Sequence, residues 1–168
     1  EGIKKIDKQA FVNCANLKSV NIPNSLTDID PTAFMYANNI IEFIVSDDNQ
    51  YYKAIKGSLY SEDESVLLFY ANGLTKTSFT VPNSVYYIRD YAFFANKTLK
   101  KVIIGSNTKW IGNYAFCESK LESVKLSKWL STICTGSSQF TNLKKIEIPC
   151  NVTSICENAF LQCPAKKI

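Results

Sequence analysis

The side chains that most often carry out catalysis or bind metal ions are absent from this chain or scattered along it. Its 168 residues contain no histidine, which removes the commonest general base and the commonest zinc ligand. Acidic residues gather at Asp47, Asp48, Glu62, Asp63 and Glu64, but their spacing lacks the D-x-D-x-D-G pattern of a calcium loop. A carboxylate-based hydrolase would need two convergent acids in one cleft. We therefore predict no catalysis, no cofactor and no metal site, and a solvated acidic turn.

The cysteines do not form a recognisable redox or zinc motif. They are Cys14, Cys117, Cys134, Cys150, Cys156 and Cys163. No two of them have the C-x-x-C spacing that is typical of structural zinc sites and thioredoxin-like redox pairs. A nucleophilic cysteine would also need an activating partner, and no histidine is present to act as one. The even count permits disulfides without requiring them.

The composition indicates a folded protein with no strong preference for nucleic acid or membrane. Apolar residues make up 46% of the chain and charged residues 20%, and no apolar run approaches the ~20 residues of a membrane span. The net charge of +4 is spread along the chain, whereas nucleic-acid binding usually needs a concentrated basic face. The N-terminal EGIKKIDKQAF has no apolar signal-peptide core, so a signal peptide was either never present or already removed. We expect no nucleic-acid partner and no direct membrane insertion.

The backbone that must position these side chains repeats one short pattern. Each unit has an isoleucine, which we call the anchor, and in most units the pair Ala-Phe follows four and five residues later. The anchors are Ile6, Ile29, Ile88, Ile111, Ile133 and Ile155, with spacings of 23, 59, 23, 22 and 22 residues. A Leu-x-x-Val-x-Ile core comes next. The fifth unit departs from the pattern, because Ser137 and Ser138 replace Ala-Phe and Phe140 is displaced.

The repeat predicts a solenoid in which each unit adds one coil to a shared core. Val-x-Ile alternates with a period of two, so both apolar side chains point to one side of a short strand. Successive coils should pair these strands in parallel, about 4.8 Å apart. In the Ala-Phe step, Phe fills the interior and Ala lets the backbone of the neighbouring coil approach. One unit cannot bury its apolar side alone, whereas stacked units share a continuous core.

The long interval in the anchor series predicts one expanded coil, with a protruding hairpin insertion at about residues 47–82. Apolar runs at 59–60 and 66–70 flank the acidic turn at 61–65, which is a β-hairpin pattern. The chain then returns to the register of the other strands at 79–81.

Residues that alternate with the buried ones define a candidate binding surface. If Val and Ile point inward, the residue between them and the residue before Val point outward. We call these positions the strand-side face: Ser19, Asn21, Glu42, Ile44, Lys101, Ile103, Ser123, Lys125, Lys145 and Glu147. The face mixes both charges with two exposed aliphatic side chains, Ile44 and Ile103, which suits protein binding better than nucleic-acid binding. The alternative interpretation is that these residues only keep the sheet surface soluble.

The repeat register brings two cysteines together and leaves their bonding open. Cys134 and Cys156 each follow an anchor directly and belong to adjacent coils. A coil spacing of about 4.8 Å lies within the ~4.4–6.8 Å Cα range of disulfides, but parallel side chains in a ladder disfavour the bond. The alternative is a pair of small buried thiols.

The repeated pattern resembles the BspA-like leucine-rich repeats. Their signature ITSIG..AF..C..L..V.IP.S is similar to IKKIDKQAFVNCANLKSVNIPNS and VTSICENAFLQC in this chain, and the expanded coil is similar to a variant module of that family. The usual glycine after the anchor survives only as Gly112, and Ala71 stands where the variant module usually has proline. The resemblance implies a β-rich leucine-rich-repeat solenoid, right-handed and curved, with parallel strands on one face. Short turns, 3-10 turns or helical turns are expected on the other face.

The resemblance also implies a function and a location. BspA-like proteins look like cell-surface or secreted proteins linked to adhesion, so we expect an extracellular or cell-surface module that binds a host or neighbouring-cell surface protein. The alternative is a structural spacer, because residues 1–168 read as a single solenoid that is a fragment of a longer array in a larger surface protein. Two N-glycosylation sequons, at Asn96 and Asn151, would be acceptors in a secreted eukaryotic protein and chance matches in a bacterial one.

Overall fold

The computed structural model describes residues 2–166 as short β-strands connected by turns. Residues 2–166 contain no helix, and therefore none that could cross a membrane. Glu1, Lys167 and Ile168, at the ends of the predicted solenoid, lie outside the described residues. The strands are β1 (Lys5–Ile6), β2 (Ser19–Ile22), β3 (Asp28–Ile29), β4 (Glu42–Val45), β5 (Tyr52–Ile55), β6 (Ser58–Ser61), β7 (Val66–Phe69), β8 (Ser78–Thr80), β9 (Tyr87–Ile88), β10 (Lys101–Ile103), β11 (Trp110–Ile111), β12 (Ser123–Lys125), β13 (Thr132–Ile133) and β14 (Ser154–Ile155).

The anchors lie on parallel strands that pair between adjacent coils, as the repeat period predicts. β1 pairs with β3 so that Ile6 lies beside Ile29, and β9 pairs with β11 so that Ile88 lies beside Ile111. β13 and β14 pair in the same register. We call β1, β3, β9, β11, β13 and β14 the anchor ladder. Ile29, Ile88 and Ile111 are buried, so these anchors contribute to the interior of their coils.

The Leu-x-x-Val-x-Ile cores form a second set of parallel strands. β2 pairs with β4, and β10 pairs with β8 on one side and with β12 on the other. Val102 lies between Phe79 and Val124 in this register, and a bridge from Ser123 to Lys145 adds the next coil. We call β2, β4, β8, β10 and β12 the face ladder. Its strands alternate between outward and inward side chains, which confirms the predicted pattern.

Aromatic rings stack through the interior, and small alanines let adjacent coils approach. Phe93 is 1% exposed and stacks on Phe116 and Tyr70, with ring centroids 4.9 and 5.1 Å apart. The backbone N–H of Phe93 donates to the carbonyl of Ala115 in the next coil at 2.8 Å. Ala115 is fully buried, so a larger side chain would push the two coils apart. Tyr70 takes the phenylalanine position in the expanded coil.

The turn side consists of hydrogen-bonded turns, and neither 3-10 nor helical turns form within residues 2–166. Most Ala-Phe turns contain two residues in the left-handed region of backbone space. Three residues after the anchor these are Gln9, Tyr91, Tyr114, Gly136 and Asn158, and seven residues after it they are Asn13, Tyr36, Ala95, Glu118, Phe140 and Gln162. A left-handed residue every four positions stops a right-handed helix from growing. Phe140 is displaced to one of these positions, where it is 40% exposed.

The insertion is a meander within the sheet, and the prediction that its hairpin protrudes is wrong. β6 and β7 form the predicted antiparallel hairpin, but β5 adds a strand that the sequence analysis did not predict. β7 then pairs in parallel with β9, so that Leu67 lies beside Ile88. Tyr60 and Leu67 are buried, because both hairpin strands contribute apolar side chains to the shared core. The meander therefore extends the anchor ladder and lies between two core clusters, since Tyr60 and Leu67 pack with the later coils while Leu59 and Leu68 pack with the first ones.

The acidic stretch forms the predicted turn and is closed by its own serines. Asp63 accepts hydrogen bonds from the Ser61 hydroxyl at 2.6 Å and from the N–H of Ser65 at 3.0 Å. These hydrogen bonds lower the pKa of the Asp63 carboxyl, and the one from the Ser61 hydroxyl has the largest effect. Glu62 and Asp63 are exposed to solvent.

Arg89 joins the coils on the two sides of the insertion. Its guanidinium donates a hydrogen bond to the backbone carbonyl of Ile29 and lies 5.7 Å from the ring centroid of Phe69. Burial lowers the pKa of Arg89, although Tyr52 and Asp30 act in the opposite direction. A long side chain directly after the anchor thus bridges a gap that glycine could not.

Candidate binding face

The structure places the strand-side face on the outside of the face ladder. Lys101 lies beside Ser123, which in turn bridges to Lys145. In the first coils, Asn21 lies beside Ile44. Nine of its ten residues are exposed, because residues that alternate with a buried row must point to solvent.

Ile103 differs from the prediction, since it is only half-buried and not exposed. It lies in β10 between Thr80 of β8 and Lys125 of β12, so strands flank it on both sides. Ile44 is 47% exposed. Of the two predicted apolar spots, therefore, Ile44 alone presents an exposed aliphatic side chain.

The face is divided into two parts, whereas the sequence analysis treated it as one patch. β2 and β4 form one sheet, and β8, β10 and β12 form another. β8 adds two outward residues that the sequence analysis missed, Ser78 and Thr80, which lie beside Lys101 and Ile103. The return of the chain to strand register at 79–81 was the signal that could have found them.

Basic side chains concentrate in the second part of the face. Glu122 pairs with Lys144 at 2.7 Å and with Lys100 at 3.6 Å, and the hydrogen bond from Lys144 is the main cause that lowers the pKa of the Glu122 carboxyl. Exposed pairs of this kind contribute little to stability, because water and salt screen them. Lys101 and Lys125 have no ion-pair partner among residues 2–166. Their ammonium groups are therefore available to a ligand.

Two neighbouring clefts lie along this basic part of the face. The larger has a volume of about 730 Å³, and charged and apolar side chains line it: Glu122, Lys125, Leu126, Lys128, Lys144, Lys145, Glu147, Ile148 and Pro149. The second, of about 630 Å³, shares Glu122 and Lys144 and extends to Lys166. A ligand in either cleft would meet more ammonium than carboxylate groups.

The cysteines are free thiols, all within the described part of the chain. Burial raises the pKa of the Cys117 thiol to about 11. Burial also raises the pKa of Cys134, and the neighbouring Cys156 adds to this effect. Since the thiolate is the nucleophile, a raised pKa lowers reactivity near neutral pH. Residues 2–166 contain no group of three or more His, Cys, Asp or Glu side chains placed to hold a metal ion.

The two sequons differ in accessibility. Asn96 is fully buried, and its side-chain amide donates to Oδ1 of Asn72 at 2.8 Å. Asn151 is exposed, and its amide donates to the backbone carbonyl of Lys128 at 2.7 Å. Packing thus encloses the amide of Asn96 in the folded protein, whereas Asn151 lies at the surface.

A row of small corner residues was not recognised in the sequence analysis. The side-chain oxygen of Asn96 accepts hydrogen bonds from the N–H groups of Thr98 and Leu99 at 3.0 and 2.7 Å, which closes the corner that leads into β10. The same position, eight residues after the anchor, holds Cys14, Ala37, Asn96, Ser119, Thr141 and Cys163. Their common small size was the signal that this position lies inside a tight corner.

Solved structures with a similar fold come from bacterial proteins. The pneumococcal vaccine antigen PcpA superposes with a TM-score of 0.80 at 25% identity, over 91% of this chain and 38% of that one. A leucine rich cell surface protein from Faecalibacterium prausnitzii gives 0.84 at 23% identity, over 97% and 50%. A leucine-rich repeat protein from Eubacterium ventriosum gives 0.53 at 21% identity, over 90% and 60%. The chain thus spans less than two thirds of each of these structures.

Sequence comparison identifies the family directly. No curated protein matches the chain significantly. The family model described as BspA type leucine rich repeat region matches in six copies, over residues 1–64 and 67–168. These matches cover nearly every coil that the structure contains, so the chain belongs to the family of BspA-type leucine-rich repeat proteins.

Proposed function

We propose that this chain is a cell-surface or secreted protein-binding module of the adhesion type, without catalytic activity, and that the strand-side face is its binding surface. The observation that carries the proposal is the pair of unpaired ammonium groups on an exposed sheet, on Lys101 and on Lys125, the latter lining the larger cleft. Parallel ladders of this kind offer extended binding surfaces in repeat proteins. The F. prausnitzii relative is described as a cell surface protein, which supports an extracellular location.

The charge of the face favours an acidic segment of a host or neighbouring-cell surface protein as the ligand. Lys101, Lys125 and Lys145 project from adjacent coils. Lys145 pairs with Glu147 at 2.6 Å, so an extended chain of carboxylates could contact Lys101 and Lys125 directly and compete with Glu147 for Lys145. Complementary charge steers association and selects partners more than it adds affinity. Binding by this face should therefore weaken as ionic strength rises.

A structural spacer is the second candidate function. The observation that favours it is the length of the relatives, since this chain covers 38% of the pneumococcal antigen structure and 50% of the F. prausnitzii structure. In a longer protein, binding could be carried by a different segment, and these coils would only set its distance from the cell.

Reversing the charge of three lysines on the strand-side face tests the proposal. We expect the triple substitution Lys101→Glu, Lys125→Glu and Lys145→Glu to weaken binding to poly-L-glutamate and to acidic host extracellular-matrix proteins by ~10-fold or more, about 1.4 kcal/mol. The reason is that three attractive contacts become repulsive ones. Surface plasmon resonance at two ionic strengths measures the effect.

The matched control reverses the charge of three exposed lysines outside the strand-side face, by Lys4→Glu, Lys8→Glu and Lys120→Glu. It changes the net charge by the same amount. We expect this variant to bind as the unmodified protein does. Equal binding by both triple variants would overturn the assignment of the face and favour the spacer.

A further inference from the structure

Two exposed aromatic rings lie together on the anchor ladder, away from the strand-side face. Tyr86 and Trp110 belong to adjacent coils, and their ring centroids are 4.7 Å apart at an interplanar angle of 80°. Tyr86 is 37% exposed and Trp110 is 43% exposed. Strands lie on both sides of this pair, because β9 pairs with β7 and β11 lies beside β13. Their exposure therefore does not come from a position at the end of the solenoid.

A fixed group of hydrogen-bonding side chains lies beside the two rings. Oδ1 of Asp90 accepts hydrogen bonds from the Tyr87 hydroxyl and from the backbone N–H of Asn113, each at 2.9 Å. Oδ2 of Asp90 accepts a longer hydrogen bond from the Asn113 side-chain amide at 3.4 Å. A carboxylate can accept about four hydrogen bonds, so capacity for further donors remains. The carboxylate, amide and phenol are thus held in place before any ligand arrives.

Gly112 makes room for this polar group. A Cβ at Gly112 would lie 2.1 Å from Oδ1 of Asp90 and 2.5 Å from its backbone nitrogen. Any other residue would displace the carboxylate, since real Cβ atoms do not approach so closely. Gly112 is also the one position directly after an anchor where glycine occurs.

The rings and the polar group share one surface cleft of about 480 Å³, which we call the aromatic cleft. It is lined by Tyr86, Tyr87, Asp90, Trp110, Gly112 and Asn113. This volume lies within the ~300–1,000 Å³ of small-ligand sites, in which apolar walls combine with a few fixed polar groups. The aromatic cleft thus has an apolar wall and a polar end.

We propose that the aromatic cleft binds a pyranose ring of a neutral glycan. A pyranose has an apolar face of C–H groups, which packs on the negative face of an aromatic ring. It also has an edge of vicinal hydroxyl groups, which a carboxylate and an amide satisfy together as acceptor and donor. Trp110 supplies the stacking surface, since the Lys109 ammonium lies 5.1 Å from the ring centroid of Tyr86. Tyr86 stands nearly perpendicular to Trp110 as a side wall, and Asp90 and Asn113 lie at the polar end. This binding site is separate from the strand-side face and uses different strands.

Tryptophan fluorescence tests the proposal directly, because the chain has only two tryptophans. In a Trp129→Phe background, Trp110 is the sole indole reporter. We expect its emission to shift saturably with at least one of three probes, cellotriose, triacetylchitotriose and lactose, with a midpoint of ~1 mM or tighter. We expect Trp110→Ala and Asp90→Ala to weaken binding by ~10-fold or more in isothermal titration calorimetry.

Three control variants test whether sugar binding is specific to the aromatic cleft. Trp129→Ala removes another exposed tryptophan, 50% accessible, and should leave sugar binding unchanged. Trp110→Phe keeps a stacking ring and should retain most of the affinity, which separates loss of contact from misfolding. The charge-reversed strand-side face should bind the sugar normally, so failure of one proposal does not imply failure of the other.

Two outcomes would overturn the proposal. One is that none of the three sugars saturates the Trp110 signal at ~10 mM, a concentration at which even weak sites fill. The other is that decaproline shifts the Trp110 emission while the sugars do not, since a proline-rich peptide also packs on exposed aromatic rings.

Discussion

Replacing Phe93 with alanine is expected to lower the free energy of unfolding by about 3–5 kcal/mol, the range for buried Phe→Ala substitutions. Phe93 is 1% exposed and packs between Tyr70 and Phe116, which belong to the coils on either side. The cavity would therefore break the stack on both sides, where each coil depends on its neighbours for burial. Urea denaturation followed by circular dichroism and by tryptophan fluorescence measures the change.

Phe140→Ala is the matched control for this substitution. Phe140 is 40% exposed in the coil that lacks the Ala-Phe pair, and alanine keeps the same backbone requirement. We expect a change within about 0.5 kcal/mol, as for most surface substitutions. If Phe93→Ala cost no more than Phe140→Ala, the shared aromatic interior would not be what stabilises the solenoid.

Asn96→Ala is expected to lower the free energy of unfolding by about 3 kcal/mol, because each buried polar group left without a partner costs ~1–3 kcal/mol. The substitution removes the acceptor for the N–H groups of Thr98 and Leu99. It also removes the donor to Oδ1 of Asn72. The corner that leads into β10 would lose its closure, so hydrogen exchange at Thr98 and Leu99 should accelerate as well.

Asn151→Ala provides the comparison at the other sequon. Asn151 is exposed and donates only one side-chain hydrogen bond, to the carbonyl of Lys128. Water can replace that bond, so we expect a change within about 0.5 kcal/mol. Equal costs for the two asparagines would contradict the assignment of Asn96 to a buried structural role.

The basic part of the strand-side face could be predicted only in part from the sequence. The outward direction of Lys101 and Lys125 follows from alternation along a strand, which is a local property. The pairing of Glu122 with Lys144, which occupies one lysine and leaves others unpaired, depends on which coils lie side by side. The partial burial of Ile103 has the same origin, because it depends on both neighbouring strands.

The aromatic cleft could not be predicted from the sequence of any single repeat unit. Tyr86 and Trp110 belong to different repeat units, and nothing in either unit distinguishes the aromatic residue from other residues close to an anchor. Their contact arises because parallel coils bring equivalent positions of successive units within ~5 Å of each other, and Tyr86 directly precedes Tyr87, the strand partner of Trp110. Gly112 is the one glycine that directly follows an anchor. The need for glycine there comes from the Asp90 carboxylate of the neighbouring coil, which leaves no room for a Cβ.

The sequence by itself determined the coils of this protein. Its repeat period of about 23 residues indicated where each coil begins. The alternation of apolar and polar residues within a unit indicated which side chains face inward, because that alternation is a local property of a short strand. Tertiary structure alone decided that the insertion joins the sheet as a meander, that Asn96 is enclosed, and that the turns contain no helix within residues 2–166. The physical reason is that these features depend on contacts between coils, and a contact between residues distant along the chain exists only after the coils have stacked.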